Sequence, residues 1–340
     1  MKKILLMPWY FIQLFSTAKS FKTNPIIGNR ILNYMGLHVI RVILSQGIMR
    51  FRMALLSFSI PKSLKQEYYK NGYMLLENVL PEEGFDRLLR ESRDIRSTIR
   101  ECVQGDTLTQ RIHLDQSNAS QAKEINRFLA QKDIVKLFKF AAGKNHRPIS
   151  HIQVIKNKYV EGEYDPQKIL HSDTFHPTMK FWYFLQDVSE GMAPFMYVEG
   201  SNKLTWNRIK WEYTKSINMN KETISYAQNG SFRIDEDKLA SLGFSEPKKV
   251  CVSKNTLVIV NTFGFHRRGE VNAKNLRAEI WGISRTNPFN PFIGFDFPFL
   301  HTLENWGLKK FREIKDREAL KNGRTASWHI IKSKNLYDDV

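Results

Sequence analysis

Residues 170–203 read LHSDTFHPTMKFWYFLQDVSEGMAPFMYVEGSNK and consist of short hydrophobic and aromatic runs separated by turn residues such as Glu190-Gly191. The same texture begins at about residue 148 and continues through KKVCVS, NTLVIVNTF, FHRRGEV and LRAEIWGISRT. Many short strands with intervening turns predict a sandwich or a barrel. The expected fold class is therefore mainly β with flanking helices.

Helical patterns flank the β-rich part on both sides. Pro81, followed by acidic residues, predicts a helix start, and a stripe at helical spacing follows it: Phe85, Leu88, Leu89, Ile95 and Ile99. A second helix is expected after Asp133. We predict three parts: an N-terminal segment over 1–60, a domain over 61–300 with a polar insertion at 204–247, and a helical tail over 301–340.

Composition is that of an ordinary globular protein. The chain has 340 residues, of which 42% are hydrophobic and 25% charged, enough to bury a sizeable core. Its two cysteines, Cys102 and Cys251, lie far apart. A disulfide framework is therefore excluded, and a cysteine-based zinc site is not expected.

The first 66 residues carry an uneven share of the charge. They contain ten of the 52 basic residues and no acidic residue, in a chain of formal net charge +18. Two apolar stretches, residues 4–15 and 37–60, are too short or too basic to span a bilayer. A helix with interspersed arginines, here Arg41, Arg50 and Arg52, can lie among anionic headgroups with its cations facing lipid. Residues 1–60 are thus predicted to be a basic amphipathic helical segment and a candidate membrane-surface anchor.

Other interpretations of this segment stay open. Lys2 and Lys3 before an apolar run also suit a signal peptide, although Pro8 interrupts the run and STAKSFK is a poor cleavage site. A mitochondrial transit peptide or a helical cap on the domain would also fit. Nucleic acid is not an expected partner, because no DNA- or RNA-binding signature is found. We expect a cytoplasmic protein, peripheral on the membrane where the anchor operates.

The pattern with the most chemical content is His171 and Asp173. They are two residues apart in the β-type run ILHSDTF, so both side chains point to one face. An imidazole and a carboxylate placed this way can hold one side of a divalent metal. A second histidine would complete the two-histidine, one-carboxylate arrangement of non-haem Fe(II) oxygenases.

His266 is the best candidate for that second histidine, since it follows the hydrophobic strand NTLVIVNTFGF. Eleven residues later Arg277 opens LRAEIWGISR, and GEVNAKN between them is turn-like. We expect the two strands to pair antiparallel and bring Arg277 back toward the metal. Its guanidinium could then grip one end of a dicarboxylic cosubstrate whose other end chelates the metal.

Three blocks of the sequence resemble the phytanoyl-CoA dioxygenase family. They are NGYMLLENVLPEEGFDRLL (71–89), the block at 170–203, and NTFGFHRRGEVNAKNLRAEI (261–280). The resemblance covers roughly residues 66–287 and leaves out the basic N-terminus. Three blocks in the right order are far more specific than an isolated HxD motif.

The resemblance implies a double-stranded β-helix of the jelly-roll or cupin type that uses Fe(II), 2-oxoglutarate and O2. It also implies hydroxylation of an unactivated C–H bond, with succinate and CO2 as co-products. By motif, His171, Asp173 and His266 match the iron ligands, and Arg277 matches the residue that binds the distal carboxylate of 2-oxoglutarate. Trp182 matches an aromatic residue near the cosubstrate. No catalytic residue beyond the metal site is expected.

Two positions depart from the family pattern. Arg268 stands where a small or hydroxyl residue is usual, and Glu279 stands where a hydroxyl is usual, so the 2-oxoglutarate pocket differs from that of the family. The expected substrate is an unidentified small molecule, for which a lipid or acyl-type compound is the candidate. Alternatives are a non-catalytic, membrane-associated binding protein that keeps the β-helix, and a soluble enzyme acting on a small metabolite.

Overall fold

A computed structural model describes residues 6–160, 164–332 and 335–337; Lys2 and Lys3 lie outside these ranges. Its helices are α1 (Met7–Gln13), α2 (Arg30–Tyr34), α3 (Leu37–Leu55), α4 (Lys62–Asn71), α5 (Glu82–Asp94), α6 (Lys123–Leu129), α7 (Lys132–Ala142), α8 (Trp206–Ile217), α9 (Ser225–Gln228) and α10 (Pro298–Lys321). Its strands are β1 (Tyr73–Leu76), β2 (Ile99–Gln104), β3 (Thr107–His113), β4 (Ile149–Asn157), β5 (Met179–Phe184), β6 (Phe195–Tyr197), β7 (Lys248–Val250), β8 (Thr256–Asn261), β9 (His266–Arg268), β10 (Asn275–Ser284) and β11 (His329–Ile331).

The strands form two antiparallel sheets. The large sheet has the order β1-β8-β5-β10-β4-β3-β2-β11, and the small sheet has the order β7-β6-β9. This is the mainly β, double-stranded β-helix architecture predicted from the sequence. One detail of that prediction is wrong: β8 and β10 do not pair, because β5 lies between them. The chain leaves β8, joins the small sheet as β9, and only then returns as β10.

The two faces of the large sheet have different roles. On the outer face, Tyr183 stacks on Phe128 of α6 and Phe181 stacks on Phe138 of α7, with ring centroids 4.2 and 4.3 Å apart. On the inner face, Trp182 and Trp281 face the small sheet and belong to a second apolar cluster. Because side chains alternate along a strand, successive residues of β5 point in turn to the main core and to the inner face that carries the site.

Helix α5 begins as predicted, with Pro81 at its N-cap position and two glutamates in its first turn. The prediction that Ile95 and Ile99 continue its apolar stripe is wrong. Ile95 is extended, and Ile99 is the first residue of β2. Both are buried in the main core, so the burial pattern continues while the secondary structure changes.

The N-terminal segment packs on the domain through its polar side. The side chains that α3 buries include His38, Arg41 and Arg52, and His38 Nε2 lies 2.8 Å from the Glu212 carboxylate. Arg41 donates to the carbonyls of Leu14 and Ala18. These contacts are typical of the cap interpretation.

Arg52 is likewise held by protein, since it donates to the carbonyls of Asn287 and Asn290. The prediction that Arg41 and Arg52 face lipid is therefore wrong, and of the three arginines named above only Arg50 is exposed. In the described part of the chain we find no helix with both the length and the hydropathy to cross a bilayer.

Two further segments complete the domain. The insertion at 204–247 contains α8, α9 and short 3-10 turns. The C-terminal part is helical over α10, but it then adds β11, which pairs with β2 at the edge of the large sheet. The prediction of a purely helical tail missed this strand.

Candidate metal centre

His171 and His266 are joined through their backbones. The N–H of His171 donates to the carbonyl of His266 at 3.0 Å, and the N–H of His266 donates back at 2.8 Å. Two residues on, the N–H of Asp173 donates to the carbonyl of Thr262. This short antiparallel contact places the three side chains beside one another, and His171, Asp173 and His266 all line one cavity of about 290 Å³.

The two imidazoles are oriented by backbone carbonyls. Nδ1 of His171 lies 2.7 Å from the carbonyl oxygen of Ile169, and Nδ1 of His266 lies 2.9 Å from that of Gly264. A carbonyl only accepts, so each Nδ1 carries the proton and each neutral ring keeps a lone pair on Nε2. These Nε2 atoms lie 3.9 and 3.7 Å from Oδ1 of Asp173.

The charge states suit a cation. Burial and the neighbouring His266 hold the pKa of His171 well below its ordinary value, so this ring stays neutral. Burial alone would raise the pKa of Asp173, but Lys180 and the two histidines keep it well below the ordinary value. Nζ of Lys180 lies 2.6 Å from Oδ2 of Asp173, which leaves Oδ1 directed toward the histidines.

The donor set fits a divalent metal. One ligand atom from each of His171, Asp173 and His266 lies within 4.8 Å of the other two, and all three residues are buried. Two imidazoles that present Nε2 and one ionised carboxylate on one side of an open cavity match the facial arrangement of non-haem Fe(II) sites. The hydrogen bonds of Nδ1 to carbonyls are the outer partners that such ligands usually have.

A family model described as "Phytanoyl-CoA dioxygenase (PhyH)" matches residues 68–238, half of the chain. The chain belongs to the phytanoyl-CoA dioxygenase family. It is therefore a 2-oxoglutarate-dependent iron enzyme with Fe(II), 2-oxoglutarate and O2 as cofactor and cosubstrates. The family, enzyme class and cofactors predicted from the sequence are confirmed.

Solved structures resemble this phytanoyl-CoA dioxygenase family member at low identity. The non-heme alpha ketoglutarate dependent epimerase SnoN from nogalamycin biosynthesis has 16% identity and a TM-score of 0.41, over 68% of this chain and 82% of that one. HygX from Streptomyces hygroscopicus with nickel and 2-oxoglutarate bound has 13% identity and a TM-score of 0.43, over 66% and 87%. The carbocyclase SnoK has 15% identity and a TM-score of 0.40, over 66% and 83%. No curated protein sequence matches the chain.

Arg277 lines the metal cavity, although not through the predicted β8–β10 pair. Its Nε lies 3.0 Å from Oε2 of Glu279, two residues along the same strand, and it also donates to the carbonyl of Ala193. Glu279 is fully buried and also accepts a hydrogen bond from Gln153. The glutamate that departs from the family pattern thus partly neutralises the arginine expected to bind 2-oxoglutarate.

Trp182 and Arg268 also lie in the wall of this cavity. Trp182 packs against Phe195 of the small sheet, with ring centroids 4.8 Å apart. Arg268, the second departure from the pattern, forms a buried ion pair with Asp165. Asp165 balances the charge of Arg268, so Arg268 adds a large side chain to the cavity wall but no unpaired cation.

Sequence reasoning missed two cations that contact Asp173. Lys180 lies two residues before Trp182 in MKFWYF, so strand alternation could have placed it on the inner face. Lys19 comes from the N-terminal segment and donates to the backbone carbonyl of Asp173; burial lowers the pKa of this lysine to about 8. Nothing in the local sequence around Lys19 indicates this contact.

Proposed function

We propose that His171, Asp173 and His266 hold Fe(II) and that Arg277 and Trp182 bind 2-oxoglutarate, in an oxygenase that hydroxylates an unactivated C–H bond. The observation that carries this proposal is the backbone-paired, buried triad facing a cavity that also contains an arginine. Bound there, Fe(II) and 2-oxoglutarate would supply the oxidising chemistry, with succinate and CO2 as products. We also propose that the chain is divided into an N-terminal segment over 1–60, an oxygenase domain over 61–300 and a C-terminal part over 301–340.

The side chains around the triad have supporting roles in this proposal. The carbonyls of Ile169 and Gly264 fix both imidazole rings, and Lys180 holds one oxygen of Asp173. Such outer contacts orient ligands and exclude other rotamers. Trp182 with Phe195, at the cavity wall, limits the access of water to the reacting groups.

The test measures metal content and succinate release separately. Wild-type protein with Fe(II), 2-oxoglutarate, O2 and a lipid extract should release succinate, and a lipid should gain one oxygen atom in mass spectrometry. His171→Ala and Asp173→Ala should bind less metal and release no succinate, whereas His329→Ala, a half-buried histidine of β11, should behave as wild type. Unchanged metal content and turnover in both site variants would refute the ligand assignment.

One contact bears on how tightly Arg277 holds 2-oxoglutarate in this proposal. Because Oε2 of Glu279 lies 3.0 Å from Nε of Arg277, the arginine binds a dicarboxylate more weakly than an unpaired arginine would. Anaerobic calorimetry with Fe(II) and 2-oxoglutarate measures this affinity, and an affinity that Arg277→Met leaves unchanged would refute the assignment of Arg277.

The proposed lipid or acyl nature of the substrate is supported by the outward surface of the N-terminal segment. Helix α3 buries polar side chains and leaves apolar side chains exposed, and α1 also exposes apolar side chains. Phe15 extends this exposed surface to the loop after β10, since its ring lies 6.3 Å from that of Phe289. The exposed large residues of this surface, here called the apolar face, are Trp9, Phe11, Ile12, Phe15, Ile40, Ile43, Leu44, Phe51, Leu55, Phe292, Phe295 and Phe297.

The apolar face is proposed to dock on an anionic membrane. A surface of this extent marks an interaction site rather than ordinary solvent-facing protein. Lys22, Arg30, Arg50 and Lys62 are exposed on the same N-terminal segment, where no acidic residue precedes Glu67. Such a charge pattern attracts anionic headgroups while the apolar side chains enter the interface.

Vesicle sedimentation tests this docking. Full-length protein should sediment with phosphatidylcholine vesicles that contain phosphatidylserine, and less with phosphatidylcholine alone. An Ile43→Asp, Leu44→Asp double variant should stay in the supernatant, whereas Val103→Asp, at an exposed position of β2, should still sediment. Failure of the wild-type protein to sediment would refute membrane docking. A dimer in light scattering that the double variant abolishes would instead identify a second copy of the chain as the partner of the apolar face.

A further inference from the structure

A second, larger cavity adjoins the metal cavity on the inner face of the large sheet. It has about 740 Å³ and lies between α10, the residues that follow it, and strands β2 and β3. Arg111 of β3 and Trp328 line both cavities. These two side chains therefore mark the junction of the metal cavity and the larger cavity, here called the passage.

Arg111 is held in an unusual way for a half-buried cation. Its guanidinium carbon lies 3.8 Å from the centroid of the Trp281 ring and 4.3 Å from that of Trp328, so two indoles enclose it. Its Nε donates to Gln153 at 2.6 Å. Burial lowers its pKa to about 9, which still leaves the group charged at neutral pH. Across the described residues, no hydrogen bond is made by its two terminal nitrogens and no acid lies within 4 Å of it.

The other cations of the metal cavity mostly have acidic partners. Lys180 pairs with Asp173, Arg267 with Glu236, Arg268 with Asp165, and Arg277 with Glu279. Arg285, at the exposed rim, resembles Arg111 in having no acid within 4 Å in the described ranges. Arg111 is less exposed than Arg285 and lacks a counterion, so a ligand anion would gain most at Arg111.

We propose that Arg111 binds an anionic group of the organic substrate, a carboxylate or a phosphate, in the passage between the two cavities. This inference deepens the proposed function and rests on it. A planar guanidinium with two free terminal nitrogens matches the two oxygens of either group. The rest of the substrate would extend along the larger cavity, and its oxidised carbon would lie on the metal side of Arg111.

The proposal gives Arg277 and Arg111 different ligands. Arg277 lies on β10 and Arg111 on β3, with β4 between them in the sheet. The first is assigned to 2-oxoglutarate and the second to the substrate. An enzyme of this kind should prefer an anionic amphiphile to a neutral one of equal chain length, whether the anion is a carboxylate or a phosphate.

Anaerobic calorimetry tests this preference without turnover. Wild-type protein is first titrated with Fe(II) and 2-oxoglutarate under argon, which tests the proposed function alone. The loaded protein is then titrated with octanoate, octyl phosphate and neutral octanol. We expect at least one anion to bind about tenfold or more tightly than octanol, and the better of the two identifies the chemistry of the anionic group.

Variants locate the anion. Arg111→Met should reduce the affinity for that anion to the level of octanol and leave 2-oxoglutarate affinity unchanged. Arg90→Met removes an exposed arginine of α5, which lines neither cavity, and should change neither affinity. Arg111→Lys, which keeps the charge but loses the planar fork, should retain part of the anion preference.

Three results would overturn the assignment. Equal binding of octanol and both anions by loaded wild type would remove the preference itself, and this result needs no variant to fold. Equal losses in Arg111→Met and Arg90→Met would show a general charge effect. Loss of 2-oxoglutarate affinity in Arg111→Met would assign this arginine to the cosubstrate instead.

Discussion

His171 and His266 lie 95 positions apart in the sequence, yet each donates its backbone N–H to the carbonyl of the other. Their ring centroids are 4.6 Å apart. Backbone pairing therefore brings the two side chains together. A site built this way is preorganised, so metal binding need not order the loop that carries His171 and Asp173.

Removing one imidazole should consequently abolish metal binding without unfolding the protein. In His266→Ala the backbone hydrogen bonds to His171 persist, but only two ligand atoms remain. We expect metal affinity to fall by more than about 100-fold, beyond the effect of losing an outer contact. Calorimetry with Fe(II) under argon measures this, and circular dichroism checks the fold. Loss of the β-sheet signal together with the metal would contradict a preorganised site.

Glu279→Gln should strengthen 2-oxoglutarate binding. The substitution keeps the shape of the side chain and removes the negative charge 3.0 Å from Nε of Arg277, which leaves the guanidinium free for the distal carboxylate. Thermal unfolding with and without 2-oxoglutarate should show a larger ligand-induced rise in Tm than in wild type. Arg277→Met is the matched control and should show no rise. A smaller rise in Glu279→Gln than in wild type would mean that the glutamate itself positions the arginine for the ligand.

Much of the site could be predicted from sequence because its residues follow simple rules. The two-residue spacing of His171 and Asp173 placed both on one side, and the hydrophobic strand before His266 suggested where the next ligand would come. The same spacing relates Arg277 to Glu279 on β10, so their ion pair was also within reach of strand alternation. The spacing of residues along the chain does not predict the strand order, in which β5 lies between β8 and β10.

The N-terminal segment shows a second limit. An amphipathic pattern tells which residues share a side of a helix but not which side faces the protein. In α3 the polar side is buried, because Glu212 pairs with His38 and the carbonyls of Leu14 and Asn287 accept hydrogen bonds from Arg41 and Arg52. These partners lie up to 235 positions away, so only the tertiary structure could decide the orientation.

Acid should destabilise the folded protein through His113. Burial, and then the nearby Arg312, lower its pKa from 6.5 to about 4, so the unfolded state binds a proton at a higher pH than the folded state. Stability should therefore fall as the pH decreases from about 6.5 to 4, by up to about 1.4 kcal/mol per pH unit from this group.

His113→Asn should flatten that part of the stability profile, measured by urea unfolding at a series of pH values. His329→Asn, a change at a half-buried histidine of β11, provides the control and should leave the profile as in wild type. A slope in His113→Asn that equals the wild-type slope would assign the acid sensitivity to other groups.

Arg41 and Arg50 lie on the same helix but should differ sharply in their contribution to stability. Arg41 is buried, donates to the carbonyls of Leu14 and Ala18, and lies over the Phe175 ring at 4.1 Å. Arg41→Met would leave buried carbonyls without donors and should lower the free energy of unfolding by about 2–4 kcal/mol. Arg50 is exposed, so Arg50→Met should change it by less than about 0.5 kcal/mol. Urea unfolding of both variants measures the difference, and equal values would mean that α3 does not dock on the domain through its polar side in solution.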